Sequence, residues 1–420
     1  MSPAARVAIF DADAPPALAF VRSLGRAGIP LRVYSQRRWP VSRYSRWCTE
    51  FARCPDPARE EEFLAWLADE LRTGRIDLVA PTSDVVAFHV ATLREAFAPE
   101  LSARFEPAKG VLASLFKDRF DVACRRSGFA TPWAAFPRSG EEARDLAQTF
   151  RYPAIVKPKS HVGVGLARGE VVRDADELRA RYREYPLPAA EAERYPELGL
   201  PMVQEYVPCA LDNLYSVSGV LGARGEIVAA SASRKIAQWP PTLGIGIEFH
   251  AIDDPKLVSH GAALARAILG RGIFEVEFIR DERDGRWVAI DLNPRAHGFV
   301  RLDIARGHDL PLLWYRIATG QTVTPQNAPR CDVVWTHGVP HAVRRAVRRL
   351  RGMPPVELSA ADVVDVVHDR HDPLPSVPFV ATMLRHPGGL IRPFLNSELV
   401  APDVERAHDR AYRNNELASG

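Results

Sequence analysis

Two acids and an amide placed around a tight turn are the part of this sequence best suited to chemistry. Residues 274–295 read FEVEFIRDERDGRWVAIDLNPR, two apolar strand candidates flanking the polar turn 281–285. With a two-residue Asp284-Gly285 loop, Arg283 pairs with Arg286 and Glu277 faces away from Asp291. With a three-residue loop 283–285 and Gly285 in the left-handed region, Glu282 pairs with Arg286 and Glu277 falls opposite Asp291, with Asn293 on their face. Opposed like charges in a sheet cost a few tenths to about 1 kcal/mol, so this register calls for a compensating cation. Magnesium takes one or two carboxylates and leaves its other positions to water and phosphate, which suits Glu277, Asp291 and Asn293 as its ligands. Arg295, on the same face if the strand runs past Pro294, could neutralise a transferring phosphoryl group. The other reading is a solvated face with surface ion pairs; the neighbours Val276, Phe278, Ile279, Ile290 and Leu292 favour a packed sheet.

Upstream stand Lys117 in LFKDRF, Lys157 in YPAIVKPKS, a glycine-bearing loop at 160–165, and the stretch Gln204-Glu205-Tyr206-Val207. In this order, with Asp291-Leu292-Asn293-Pro294-Arg295 at the end, the residues resemble the ATP-grasp superfamily, whose nucleotide is clamped between two α+β lobes. Its magnesium acids precede an Asn-Pro-Arg-like motif, with Asp291 here where the family more often carries Glu. The likeness spans roughly 115–320. It implies that Lys117 and Lys157 reach nucleotide phosphate, and that Ser160, Gly163 and Gly165 belong to a flexible phosphate lid. Glycines there let backbone amides approach phosphate oxygens. It further implies that Gln204, Glu205 and Val207 lie on the strand that binds adenine and that Asp212 holds ribose hydroxyls. Arg234 and Lys235, read at a strand end, form either a second positive wall for the γ-phosphate or substrate carboxylate, or a solvated edge.

The activity implied is that of a carboxylate-amine ligase using ATP and Mg²⁺ (or Mn²⁺). A small-molecule carboxylate becomes an acyl phosphate, and an amine or similar nucleophile captures it. Two rivals stand beside it: a kinase or carboxylase-like enzyme, and a non-catalytic nucleotide-binding protein.

The elements that must position these groups follow from apolar periodicity. Short runs at 6–10 and 31–35 flank helical spacing at 17–27, and an amphipathic helix at 61–72 leads into a buried-strand candidate at 77–80. The expected fold is α/β and α+β: a doubly wound N-terminal α/β domain, a two-lobed ATP-grasp domain, and a C-terminal extension. The boundaries expected are 1–114, a small lobe 115–200, a large lobe 201–325, and the extension 326–420. No GxGxxG follows the first strand, so a dinucleotide site is not supported there. Asp11, Asp13 and the loop 82–84 sit at strand ends, either on a cleft wall or as helix caps.

Helices are also expected at 117–127, 175–184 and 256–269, with strands at 154–158, 169–172, 202–207, 214–221 and 227–233. The basic helix 341–351, HAVRRAVRRLR, carries the stripe Val343, Val347 and Leu350. It either packs on the protein or offers its arginines to an acidic partner.

The 55 basic and 52 acidic residues nearly balance, which disfavours nucleic acid as the main partner. Five cysteines without metal-type spacing read as reduced thiols, and the absence of a long apolar run disfavours secretion and a membrane span. A cytoplasmic enzyme with room for homo-oligomerisation is the expectation.

Overall fold

The computed structural model describes residues 4–94, 104–160, 162, 169–185, 199–207, 213–240, 243–326, 329–353, 358 and 362–384. Three β-sheets organise them into a mixed α/β fold. The first is parallel, in the order β3-β2-β1-β4, from β1 Val7–Ile9, β2 Leu31–Ser35, β3 Phe51–Arg53 and β4 Leu78–Val79. The crossovers that parallel pairing demands include α1 Pro15–Arg26 and α2 Glu60–Arg72. Prolines in the first turn start α1, where a missing N–H costs nothing, and three glutamates open α2 while Arg72 closes it, matching its dipole. Helix α3, Asp84–Leu93, begins where only a loop was expected at 82–84. Ser83 caps it by accepting the Val86 N–H at 3.2 Å.

Helices α4 Ala108–Leu115 and α5 Lys117–Arg126 lead into a small antiparallel sheet, in the order β5-β8-β6-β7. Its strands are β5 Ala134–Ala135, β6 Ala154–Lys157, β7 Glu170–Val172 and β8 Met202–Glu205, covered by α6 Gly140–Thr149 and α7 Ala175–Glu184. Strand β8, expected at the start of the large lobe, pairs with β5 and β6 instead.

The large sheet has seven strands in the order β13-β12-β9-β10-β11-β14-β15. They are β9 Leu214–Leu221, β10 Ile227–Trp239, β11 Ile245–Ile252, β12 Gly272–Arg280, β13 Trp287–Asn293, β14 Val333–Thr336 and β15 Asp362–Asp365. Strand β10 does not stop at residue 233; it carries Arg234 and Lys235 in its interior, one on each face. Strands β14 and β15 complete this sheet, so the expected C-terminal extension supplies part of the large lobe. Helices α8 Pro255–Ile268, α9 Val300–Arg306 and α10 Leu310–Ala318 cover it.

The basic helix is α11, Gly338–Leu350. It packs Val347 and Val343 on Ala237, Ile247 and Trp239, while Leu350, expected in its buried stripe, is 86% exposed. Helix α12, Ser376–Leu384, follows a tie between chain ends: Arg22 on α1 donates to Asp372 Oδ2 at 2.8 Å, both side chains being buried. Arg22 also donates to the Val367 carbonyl at 2.7 Å.

Removing one partner of a buried pair strands the other charge. Arg22→Met therefore lowers the unfolding free energy by about 3–5 kcal/mol, read from the urea midpoint. A loss below about 1 kcal/mol would contradict the buried pairing.

Candidate active site

The acid-bearing hairpin reaches the expected register by an unexpected route. The loop is four residues, 282–285, because Asp281 is buried and its carboxylate takes the Arg283 N–H at 3.0 Å and the guanidinium at 2.6 Å. The Asp281 N–H donates to the Arg286 carbonyl at 2.9 Å, and Gly285 turns the chain with φ 71°. That closure is one residue out of step with the three-residue loop. A bulge on β13 then restores the step: Ala289 opposes Phe278 and Asp291 opposes Glu277, with Ile290 the extra residue. The bulge sets Ile290 and Asp291 side by side on the cleft wall.

Glu275, Glu277, Asp291 and Asn293 thus share one face, as their alternation requires. Two lysines offset the opposed acids. Lys117, the first residue of α5, pairs with Asp291, and Lys235 Nζ lies 3.4 Å from Glu277 Oε2. Glu275 accepts from Ser216 at 2.7 Å and Asn293 Nδ2 at 2.6 Å; burial and the neighbouring Glu277 push its carboxyl up to about 7. Glu275 was missed in the sequence, although it has the same parity as Glu277 in FEVEF.

Arg295 is clamped by Asp84 at the start of α3, through Nε to Oδ1 at 2.7 Å and Nη2 to Oδ2 at 2.8 Å. Its Nη2 also reaches Asn293 Oδ1 at 3.2 Å. The loop 82–84 therefore does both things proposed for it, since Ser83 caps and Asp84 holds a cleft residue. Asp13 acts as a cap, taking the Val41 N–H at 3.0 Å, and the Asp11 carbonyl accepts the Ala14 N–H at 2.7 Å.

Lys157 ends β6 and lines the cleft from the small sheet. Desolvation and the nearby Lys117 push its ammonium down to about 8, against the pull of Asp291 and Glu277. Ser160 is buried away from the cleft lining and spends its hydroxyl on the Val162 N–H at 3.1 Å. Gly163, Gly165 and Asp212 lie outside the described residues. Arg234 is the clearest misplacement: alternation on β10 turns it to the face opposite Glu277, beside Tyr215 and His250. Only Lys235 of that pair faces the acids.

On one side of the acids, Ile155, Val207, Leu214, Ile279 and Ile290 form an apolar slot between the two sheets. Gln204 and Glu205 border it, but the Glu205 carboxylate is already engaged, accepting from Arg283 at 2.6 Å and the Trp133 N–H at 3.2 Å. On the other side stands His297, whose Nε2 lies 3.0 Å from Asp303 Oδ2. Burial works to raise the Asp303 carboxyl, but His297, Arg306 and Ser231 overcome it and hold it below its usual value. His297 follows Arg295 by two residues, a spacing that could have drawn notice. The whole cleft has a volume of about 520 Å³, within the range of small-molecule sites. Among the described residues no three His, Cys, Asp or Glu side chains gather as a self-sufficient metal site.

No protein-family model matches the chain. It is 24% identical over 202 residues to the C-terminal section of the carbamoyl phosphate synthase large chain of Methanopyrus kandleri, a match covering 47% of this chain and 35% of that relative. The chain thus spans about a third of the length of that curated relative. Among solved structures, it superposes on the biotin carboxylase domain of Hydrogenobacter thermophilus 2-oxoglutarate carboxylase, in complex with MgADP and bicarbonate. That match has a TM-score of 0.61 at 20% identity and covers 78% of this chain and 73% of that one. Campylobacter jejuni biotin carboxylase, in a nucleotide complex, gives 0.61 at 15% identity over 79% and 74%. The N5-carboxyaminoimidazole synthetase of Staphylococcus aureus gives 0.58 at 14% identity over 83% and 86%. The chain has the ATP-grasp fold.

The low value at Lys157 fixes a pH dependence. On the expected contact of Lys157 with nucleotide phosphate, the ligand needs the ammonium charged, so affinity would be full below about pH 8 and would fall above it, by up to about tenfold per pH unit. Isothermal titration with ADP should show this decline between pH 7 and 9.5, and Lys157→Arg should flatten it. Equal wild-type affinity at both ends would contradict the assignment.

Proposed function

We propose that the chain is an ATP-dependent ligase that activates a carboxylate as an acyl phosphate and joins it to an amine or similar nucleophile, releasing ADP and phosphate. One observation carries this reading: two opposed acids and an amide on one sheet face, ringed by Lys117, Lys157 and Lys235, with an apolar slot to one side. That is the donor set a magnesium nucleotide requires, and the nucleotide-bound structures that share the fold support it.

The base enters the slot of Ile155, Val207, Leu214, Ile279 and Ile290, where the main chain of 205–207 supplies polar contacts. With Glu205 committed to Arg283, its carboxylate orients the hairpin loop and leaves base recognition to the backbone. Magnesium or manganese, when bound by Glu277, Asp291 and Asn293, supplies charge neutralisation along the phosphates. With that cation in place, Lys117 and Lys235 would no longer be needed to offset the acids and would be free to meet phosphate oxygens. Lys157, already facing the cleft, needs no such exchange.

Arg295 is a fixed cation. Its Asp84 clamp costs it part of its field but sets its direction, which suits a group that must meet developing negative charge without reorganising. The substrate carboxylate attacks the γ-phosphorus in line and ADP leaves. The amine then attacks the acyl carbon and inorganic phosphate leaves. The proton the amine sheds leaves with the phosphate, and His297, with Asp303 3.0 Å from its Nε2, forms part of the cleft wall.

A second reading keeps the same first step with bicarbonate as the carboxylate. The bicarbonate complex of the H. thermophilus domain favours its inclusion among the substrates tried. No described helix is long and apolar enough to cross a membrane.

ADP release, assayed over pairs of carboxylates and amines and over bicarbonate with each amine, should find turnover in the wild type. Glu277→Gln should lose on the order of a hundredfold or more with unchanged thermal unfolding, because it acts on cation placement; Asn293→Ala should lose as much and also unfold at a lower temperature, because it strips the buried Glu275 of a hydrogen bond. Near-normal turnover in both variants would sink the site assignment. Robust nucleotide binding with no turnover for any pair would favour a binding protein instead.

A further inference from the structure

Asn293 can serve a cation through only one end of its amide. The oxygen has lone pairs to give, whereas the NH₂ group can only donate hydrogen bonds, so an amide turned about would present the wrong end. Two neighbours decide which way it lies. Arg295 Nη2 stands 3.2 Å from Asn293 Oδ1, and a guanidinium has no acceptor, so the amide oxygen belongs on that side. On the other side, Glu275 Oε2 accepts from Asn293 Nδ2 at 2.6 Å. The orientation follows from the chemistry of these two partners.

Glu275 is itself held in place. It stands directly opposite Asn293 in the register of β12 and β13, two residues before Glu277, and is 2% exposed. Its Oε1 accepts the hydroxyl of Ser216, which is buried on β9, at 2.7 Å. A glutamine at this position would have the same reach, but its own amide could lie either way. The carboxylate offers an accepting oxygen at both ends and leaves nothing to choose. A continuous string results: Ser216 and Asn293 donate to Glu275, Arg295 donates to Asn293, and Arg295 donates to Asp84 on α3. It runs from β9 of the large sheet to the parallel domain, and Glu275, Asn293 and Arg295 along it line the cleft.

We infer that Glu275 is a positioning residue for the cation site: it holds the Asn293 amide in the one orientation that leaves the oxygen able to bind a divalent ion. Both Glu275 oxygens are spent on protein donors, so its action on the ion runs through Asn293. Partners of this kind, which orient a ligand without touching the metal, carry a tenfold to hundredfold share of affinity in metal sites generally, roughly. This inference rests on the ligase reading, because that reading makes Asn293 a magnesium ligand.

The test is the gain in ADP affinity that manganese confers, measured on the full chain by isothermal titration with ADP in EDTA and with ADP in excess manganese. Damage to the fold lowers both affinities together; a misplaced ligand lowers the gain alone. Glu275→Gln and Glu275→Ala both remove the acid, but glutamine can still accept from Asn293 Nδ2 while the Ser216 hydroxyl turns to accept from the new NH₂. The gain should therefore be roughly tenfold larger in Glu275→Gln than in Glu275→Ala. When each is combined with Asn293→Ala, the two should show equal gains, because the side chain through which Glu275 acts is gone. Equal gains in the two single variants overturn the inference, and so does a tenfold difference that persists in the double variants. A wild type that binds ADP with no gain from manganese removes the cation site of the ligase reading and this role with it. A clear wild-type gain that both single variants retain equally removes this role alone.

Discussion

Two carboxylates face each other across a ribbon at Glu277 and Asp291, and the rest of the site is arranged around that repulsion. A sheet tolerates opposed like charges only with compensation, and here Lys117 and Lys235 supply it from two other elements. The lysines hold the acids in place, so on the proposed function the site would be formed before a cation arrives and would exchange one set of positive charges for another. Such pre-arrangement lowers the reorganisation that binding and charge transfer would otherwise require. It also explains why the bulge at Ile290 matters. Without it, the four-residue loop would turn Asp291 and Asn293 away from Glu277, since a single-residue slip changes the face of every side chain beyond it.

Ion pairs also join the parts of the fold to the large sheet and the chain just beyond the ribbon. Asp84 reaches Arg295 from the parallel domain, Glu205 reaches Arg283 from the small sheet, and Arg344 reaches Glu248 at 2.9 Å from the basic helix. Glu248 is buried on β11. Burial alone would raise its carboxyl, but His250, His341 and Arg344 bring it down to about 2. The helix thus spends a histidine and an arginine on the protein itself, which accounts for its basic character in part without a partner. Buried pairs of this kind add little net stability over apolar contacts, but each fixes one geometry, and cleft walls need that more than they need added stability.

Much of this was legible where the governing contacts are local. Strands at 31–35 and 214–221 and the helix at 175–184 have the bounds their periodicity predicts. The acids, Asn293 and Arg295 were found because period-two alternation is written in a short stretch. The loop was misjudged because Asp281, which reads as an exposed turn residue, is buried and draws Arg283 inward. Arg234 was misjudged because a charged pair looks like a strand end, whereas β10 runs through it and shows one charge to each face. Strand β8 could have joined either sheet by its composition. The pairing of Phe249 with Trp335 and the approach of Asp84 to Arg295 leave no local trace, since tertiary folding alone brings those residues together.

The central claim is that the opposed acids form a cation site beneath a nucleotide. Crystals grown with manganese and ADP test it most directly, through the position of the manganese anomalous peak. The account predicts one peak within coordination distance of both Glu277 and Asp291, with Lys117 and Lys235 moved onto phosphate oxygens. A peak away from those carboxylates, or bound ADP with both lysines still paired to the acids, would contradict it.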